Sequence, residues 1–243
     1  MMTFSWTDRY RAPSRRRVVV FATAALLCLI PFPRPVCAEI GEEQPSPEMP
    51  RLEELLQGYN ENIGRAAVLI DSLRVNQEMV EPTEDGSSKG ARAVLSYSRD
   101  EGMGREELFS DLGHPVGEYQ LSSLVGPALV PDEYDVTLVG VEGMEGRSCY
   151  RLDVTAVERD ADHFDGSVWV EVGSLGLVRI TGVVADPPFP VRRIGLDKAF
   201  EPVPEGFRLL RRHTGEIDIR MGFIKRQGTM HIFYTDYELT LSQ

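Results

Sequence analysis

The chain has 243 residues, of which 42% are hydrophobic and 26% are charged, a composition typical of globular proteins and not of disordered or fibrous ones. Its 38 acidic and 26 basic residues give a formal net charge of -12, which argues against a nucleic-acid binder because neutralising phosphates needs a basic face. The same acidity disfavours electrostatic adhesion to an anionic membrane surface.

The N-terminus has the layout of a secretory signal. Five arginines lie within residues 1–17, the uncharged run 18–32 follows them, and small residues at 36–38 suit a signal peptidase. The uncharged run is shorter than the roughly 20 residues that a transmembrane helix needs. We therefore predict a signal peptide over 1–38, with an uncleaved anchor helix as the alternative. The motif SRRRV at 14–18 is similar to a twin-arginine signal, which leaves the export route open.

Cleavage after Ala38 would change the balance of charge and of cysteine. The removed segment contains six arginines, one aspartate and two of the three cysteines, so 205 residues with 20 basic and 37 acidic side chains would remain. Cys149 would then stand alone, no intramolecular disulfide could form, and a packed core would have to stabilise the fold. We interpret Cys149 as a small buried apolar residue and not as a nucleophile.

The rest of the chain is predicted to begin with a leader and a helix. Residues 39–50 are acidic and proline-rich, which indicates a flexible segment. Apolar residues then recur at spacings of three and four, which predicts an amphipathic helix that ends near Gly64. The residues of this stripe are Leu52, Leu55, Leu56, Tyr59 and Ile63.

Most segments after Gly64 are predicted to be strands. The predicted strands are 66–78, 91–99, 134–141, 149–157, 167–172, 177–184, 191–200, 207–213, 216–223 and 228–239, and 100–131 is predicted to be irregular with one short helix. Strands and helices do not alternate, so we expect a meandering antiparallel sheet. A sheet of this size must curl or split, and its concave side is either a filled core or a ligand pocket.

Three stretches carry a resemblance to a known family. They are YDVTLVG at 134–140 with GRSCYRLDV at 146–154, GSVWVE at 166–171 with GLVRI at 176–180, and FEPVPEGF at 200–207. In this order they resemble the outer-membrane lipoprotein-sorting protein family, the LolA/LolB-like superfamily that also includes the periplasmic regulator RseB. The resemblance implies a mainly β fold with short helices over a single domain at 51–243. In that fold a curved antiparallel sheet forms an unclosed β-barrel, and helices cover its concave face.

The resemblance also implies a function. It suggests a monomeric periplasmic carrier that holds lipoprotein acyl chains or a related lipid in a hydrophobic cavity, and that works with membrane-bound donor and acceptor proteins. The alternative is an envelope sensor or interaction module of the same fold. A carrier needs only an apolar lining and a movable lid, for which Leu121 and Leu124 are candidates. The predicted lining residues are Leu73, Val75, Val94, Val136, Leu138, Tyr150, Leu152, Val154, Ile180, Ile219 and Met221.

Signals of an enzyme are weak in this sequence. Motifs of the nucleophile elbow, the phosphate loop, the zinc proteases and the dinucleotide-binding fold do not occur. The cluster RDADHFDG at 159–166 fits neither an EF-hand nor a zinc motif, so we interpret it as an exposed acidic turn. We predict no catalytic residue, no metal and no cofactor. Val168 and Val170 lie on the face opposite to Trp169, and the sequence does not decide which of the two faces Trp169 occupies.

Overall fold

The computed structural model describes residues 49–112, 120–204, 206–221 and 223–242. The signal peptide predicted at 1–38 lies outside the described residues, as does the leader predicted at 39–50 except for its last two positions. Both therefore stay predictions.

The described residues form two helices and ten strands in a single antiparallel sheet. The elements are α1 Leu52–Leu69, β1 Ile70–Pro82, β2 Ser88–Ser98, β3 Gly102–Ser110, α2 Leu121–Val125, β4 Tyr134–Met144, β5 Arg147–Ala156, β6 Phe164–Glu171, β7 Leu177–Val184, β8 Val191–Pro202, β9 Arg208–Met221 and β10 Ile224–Leu241. The strand order is β3-β2-β1-β10-β9-β8-β7-β6-β5-β4. Strands β3 and β4 are the two edges, so the curved sheet does not close into a barrel, and the predicted fold class is confirmed.

Helix α1 buries the apolar stripe that its sequence predicts. Leu55 and Tyr59 are fully buried, and the other members of the stripe pack against the same core. The helix does not end near Gly64, as the sequence predicts, but continues to Leu69 and runs directly into β1. Gly64 is tolerated because it is exposed, and the alanines that follow it favour the helix.

Two predicted strand assignments are wrong, although the predicted number of strands agrees with the structure. Residues 102–110 are not irregular but form the edge strand β3, which is largely exposed and carries the charged residues Arg105, Glu106 and Glu107. Such a strand lacks the apolar alternation of a half-buried one, and charge on an edge discourages pairing with other chains. The strands predicted at 207–213 and 216–223 are one continuous strand, β9, which passes through Gly215 without a break.

The sheet has two faces of different character. The inner face carries the main core, including Leu152, Val168 and Ile180, and packs against both helices. The outer face carries a small cluster of Cys149, Trp169 and Val178. Trp169 thus lies on the outer face, where its indole Nε1 donates a hydrogen bond to Glu142.

Strands β6 and β7 approach each other most closely at a pair of glycines. Gly166 lies opposite Gly182 in the register. A Cβ atom on Gly166 would lie 2.0 Å from the carbonyl oxygen of Thr181, and one on Gly182 would lie 2.3 Å from that of Asp165. Only glycine permits this approach, and such positions mark bends in a curved sheet.

Helix α1 is held above the inner face by a few polar contacts. The hydroxyl of Tyr59 donates to the carbonyl of Pro127 (2.7 Å), and burial raises the pKa of this tyrosine. The amide of Asn60 both donates to and accepts from the backbone of Leu129. Asn62 donates to the carbonyl of Ser174 in the β6–β7 turn (3.1 Å). These contacts tie the helix to the segment after α2 and to one turn of the sheet.

Candidate functional site

One row of paired residues crosses the whole inner face, with one residue from each strand. By register the row runs Leu138, Leu152, Val168, Ile180, Lys198, His213, Ile232, Met79, Ala91 and Ser110. Six of its members belong to the buried core, and a seventh, Leu138, packs against that core half-buried. The row is therefore apolar except for Ser110 at the edge and the pair Lys198 and His213 on β8 and β9.

The two basic residues of this row stand in an unfavourable environment for charge. Burial lowers the pKa of Lys198. Burial first, and the nearby Lys198 second, lower the pKa of His213 to about 4. Within the described part of the chain, Nε2 of His213 has no hydrogen-bond partner and Lys198 has no ion pair. Buried polar groups usually have hydrogen-bond partners within the protein. Because these two side-chain nitrogens lack such partners, they are available to bind a ligand.

A gap in the neighbouring row lies next to this pair. Gly215 of β9 is opposite Leu196 of β8 and Met230 of β10. A Cβ atom on Gly215 would meet only Nε2 of His213 within 4 Å, at 3.9 Å, so the space above the glycine is open. Leu196 and Met230 contact the buried core and remain partly exposed. We call Leu196, Lys198, His213, Gly215 and Met230 the inner groove.

The structure places the predicted lining residues in four different settings. Seven are buried in the core under the helices, namely Leu73, Val75, Leu124, Tyr150, Leu152, Val154 and Ile180. Leu121, Val136, Leu138 and Ile219 are half-buried. Val94 lies on the outer face, because its partner in the register is Asn76 while the neighbouring Leu95 faces the core. Met221 is 51% exposed at the end of β9. Whether these residues line a ligand cavity stays a prediction.

The sequence interpretation missed the inner groove, although one signal for it was present. In β8 the residues Ile194, Leu196, Lys198 and Phe200 alternate, so a lysine falls on an otherwise apolar face. The proximity of His213 to Lys198 could not be predicted, because it depends on the pairing of two strands.

Two pockets lie in this part of the sheet, and Leu196 of the inner groove lines one of them. They have volumes of about 540 and 360 Å³ and share Arg193 and Glu216, which form an ion pair at 3.5 Å. The predicted lining residues line neither of these pockets.

The acidic cluster at 159–166 has a structural role. Asp160 accepts hydrogen bonds from the backbone of Asp162 and His163 and pairs with Nδ1 of His163 at 2.7 Å. Chiefly through this bond, the pKa of His163 is raised. His163 also packs against the ring of Tyr134. Among the described residues, no three His, Cys, Asp or Glu side chains are grouped to hold a metal ion.

Cys149 is fully buried in the outer cluster, as the sequence predicts. Burial, followed by the charge of Glu171, raises the pKa of its thiol. A buried thiol with a raised pKa is a poor nucleophile.

Comparison with known proteins gives matches to solved structures only. No family model and no curated protein matches this chain. A LolA superfamily protein from Nitrosomonas europaea is 13% identical with a TM-score of 0.43, and the match covers 79% of this chain and 94% of the other. A putative outer membrane lipoprotein-sorting protein domain from Vibrio parahaemolyticus is 9% identical with a TM-score of 0.42, over 77% and 92%. In the MucA/MucB complex of Pseudomonas aeruginosa, the matched chain is 10% identical with a TM-score of 0.26, over 74% and 92%.

Each match covers about three quarters of this chain and more than nine tenths of the other. In the described part of the chain, no helix has both the length and the hydrophobicity to cross a membrane.

Proposed function

We propose that the protein is an exported, non-enzymatic binder of acyl chains, from lipoproteins or a related lipid, which it holds in the inner groove. The observation that carries the proposal is the open space over Gly215 between the partly exposed Leu196 and Met230. The apolar surface of the core continues into this space, so an alkyl chain there would extend the core.

The cover over the inner face supports reversible entry. Helix α2 has only five residues, and Leu121 within it is half-buried while Leu124 is anchored in the core. Displacing this short element would expose Leu124 and Val125 at a cost of about 2 kcal/mol each, which the contacts of an entering alkyl chain would offset. Movement of α2 would lengthen the groove without breaking the sheet.

The expected affinity comes from the hydrocarbon. Each buried methylene contributes about 0.8 kcal/mol, so a chain of about twelve carbons would contribute roughly 10 kcal/mol before the entropic cost of association. Lys198 and His213 at the side of the groove would accommodate an acidic or ester group at the end of the chain. This arrangement needs no reactive residue, metal or cofactor.

Native mass spectrometry of protein recovered after export tests the proposal. We expect a co-purifying acyl species on the wild-type protein and its loss in Gly215→Leu, because the new side chain would fill the open space. The control is Gly64→Leu, which adds the same side chain at an exposed position of α1 with no atom within 4 Å. Retention of the acyl species in a folded Gly215→Leu protein would refute the inner groove as its site.

A second function, that of a sensor or interaction module, is favoured by the edge strand β4. Among the described strands it has no partner on one side, and its Val139 and Val141 are 50% and 41% exposed. An extended segment of a partner protein could pair with such an edge. A mass without any acyl species, together with a tightly bound protein, would favour this alternative over the carrier.

A further inference from the structure

One end of the sheet exposes large apolar side chains to solvent. Phe189, in the connection between β7 and β8, is 87% exposed, and Phe223, at the β9–β10 hairpin, is fully exposed. The two segments adjoin, because the backbone N–H of Arg220 donates to the carbonyl of Pro190 at 3.2 Å. Met221 lies beside them and is half-exposed. We call residues 186–193, 218–221 and 223–226 the sheet tip.

The sheet tip is basic although the chain as a whole is acidic. It contains five basic residues and two acidic ones, whereas the whole chain has a net charge of -12. All five are exposed: Arg192, Arg193, Arg220, Lys225 and Arg226. Two of them have carboxylate partners, in the pairs Arg193–Glu216 and Arg220–Asp218. In the described part of the chain, the other three have none.

The placement of these charges is costly for the isolated protein. Lys225 lies directly opposite Arg220 in the register of the hairpin, and like charges at such positions destabilise a sheet. Three large apolar side chains in contact with water add to this cost. A partner that is both negative and apolar would relieve both.

We propose that the sheet tip docks onto the surface of an anionic lipid bilayer. The aromatic side chains would enter the boundary between headgroups and acyl chains, and the basic side chains would contact the anionic headgroups. The acidity of the rest of the chain does not prevent this, because charges further from the surface than about 8 Å are screened at physiological ionic strength. This proposal is independent of any ligand in the inner groove.

The shape of the tip favours a bilayer over an acidic protein. Phe189 and Phe223 project from two turns and do not form the walls of a groove. A partner protein would need a matching pocket for each ring, whereas a bilayer accepts separate projecting side chains. The pocket at this end of the sheet is lined by Arg193 and Asp218 of the tip, but neither Phe189 nor Phe223 lines it.

Co-sedimentation with lipid vesicles tests this proposal on protein purified after export. The probes are vesicles of phosphatidylcholine mixed with phosphatidylglycerol and vesicles of phosphatidylcholine alone. We expect binding to the anionic vesicles only, and weaker binding at higher salt. The double variant Phe189→Ser/Phe223→Ser should bind about tenfold more weakly or worse. Lys225→Glu/Arg226→Glu should lose a similar factor, since each basic residue near the surface contributes to attraction.

The matched control is Leu108→Ser/Phe109→Ser, which removes two exposed apolar side chains from β3, away from the sheet tip. It should bind as the wild type does. All positions changed are exposed, so circular dichroism should show every variant folded. Absence of binding to anionic vesicles, or equal loss in the control, would overturn the proposal. So would unchanged vesicle binding of the Phe variant, because loss only on charge reversal would indicate electrostatic adhesion without entry of the aromatic side chains.

Discussion

Lys198 lies directly opposite His213 on the inner face, in the only basic pair of a row that crosses the described sheet from edge to edge. Their flanking neighbours in this row, Ile180 and Ile232, are buried apolar residues. Burial therefore favours the neutral form of both bases, and each discourages the protonation of the other. The free energy of unfolding should therefore depend on pH through the protonation of this pair.

We expect the free energy of unfolding to fall as the pH is lowered from about 7 to about 4. The pKa of His213 is lowered from 6.5 to about 4 in the folded protein, so the unfolded chain binds more protons between these values. Stability from this residue is complete above pH 6.5 and is lost as the pH falls towards 4. The loss is at most about 3 to 4 kcal/mol, since one pKa unit corresponds to about 1.4 kcal/mol. Urea unfolding at a series of pH values measures it.

The variant His213→Leu should remove this part of the pH dependence. His163→Gln is the control with the opposite sign, because the pKa of His163 is raised by its bond with Asp160. The stability that His163 contributes is present below pH 6.5 and is lost as the pH rises through its folded pKa, so its removal should matter most in acid. A His213→Leu protein with the same acid sensitivity as the wild type would contradict the role given to His213.

Replacing Glu171 by Gln should destabilise the protein by about 2–4 kcal/mol. The guanidinium of Arg208 is buried and lies 2.8 Å from Glu171, so the variant would leave a buried charge without its partner. Although burial raises it, the pKa of Glu171 is lowered to about 2 by hydrogen bonds from Ser174, Arg208 and Arg147. Stability from Glu171 should therefore be present above pH 4.5 and be lost as the pH falls towards 2.

Chemical denaturation of the double variant Glu171→Gln/Arg208→Met distinguishes the cost of an unpaired buried charge from the cost of losing the ion pair. Removing both charges should restore most of the stability lost in Glu171→Gln, because no buried charge remains unpaired. The exposed pair Arg99–Asp71 provides a control, and Asp71→Asn should cost less than about 1 kcal/mol. Equal costs for Asp71→Asn and Glu171→Gln would show that burial does not distinguish the two pairs.

Local patterns predicted those elements whose sequences alternate in the expected way. In β5 the residues Tyr150, Leu152, Val154 and Ala156 alternate in the sequence with polar ones, and all four belong to the main core. Strand β3 was not predicted, because an edge strand with charged residues shows no apolar face. The sequence also did not predict that β9 continues through Gly215, because a glycine within a strand resembles a break until the neighbouring strands are known.

The candidate site could be predicted only in part, because it depends on which strands are neighbours. The apolar character of Leu138 and Leu152 is local and was visible. Predicting that Lys198, His213 and Gly215 lie close together requires knowledge of the register between β8 and β9. The face of Trp169 could not be assigned for a similar reason, since Val168, Trp169 and Val170 are all buried and the alternation is hidden.

Replacing Gly166 by Ala should destabilise the protein by about 3 kcal/mol or more. The added Cβ atom would lie 2.0 Å from the carbonyl oxygen of Thr181, and a backbone atom cannot move aside without displacing β7. Gly143→Ala is the matched control, because Gly143 lies in strand β4 with no atom within 4 Å of an added Cβ. Urea unfolding compares the two. A cost below about 1 kcal/mol for Gly166→Ala would show that the close approach of β6 and β7 is not required.

Replacing two paired leucines by aspartate, one at a time, should distinguish loss of acyl binding from loss of the fold. Leu138 and Leu152 lie opposite each other, but Leu138 is half-buried at the edge strand and Leu152 is fully buried. Leu152→Asp would place a carboxylate in the core and should unfold the protein, which makes it uninformative about a ligand. Leu138→Asp should remain folded, since its carboxylate can reach solvent. If the acyl chain extends along the inner face to β4, Leu138→Asp should reduce retention of the acyl species in native mass spectrometry by about tenfold. Full retention in folded Leu138→Asp would confine the ligand to the part of the inner face around Gly215.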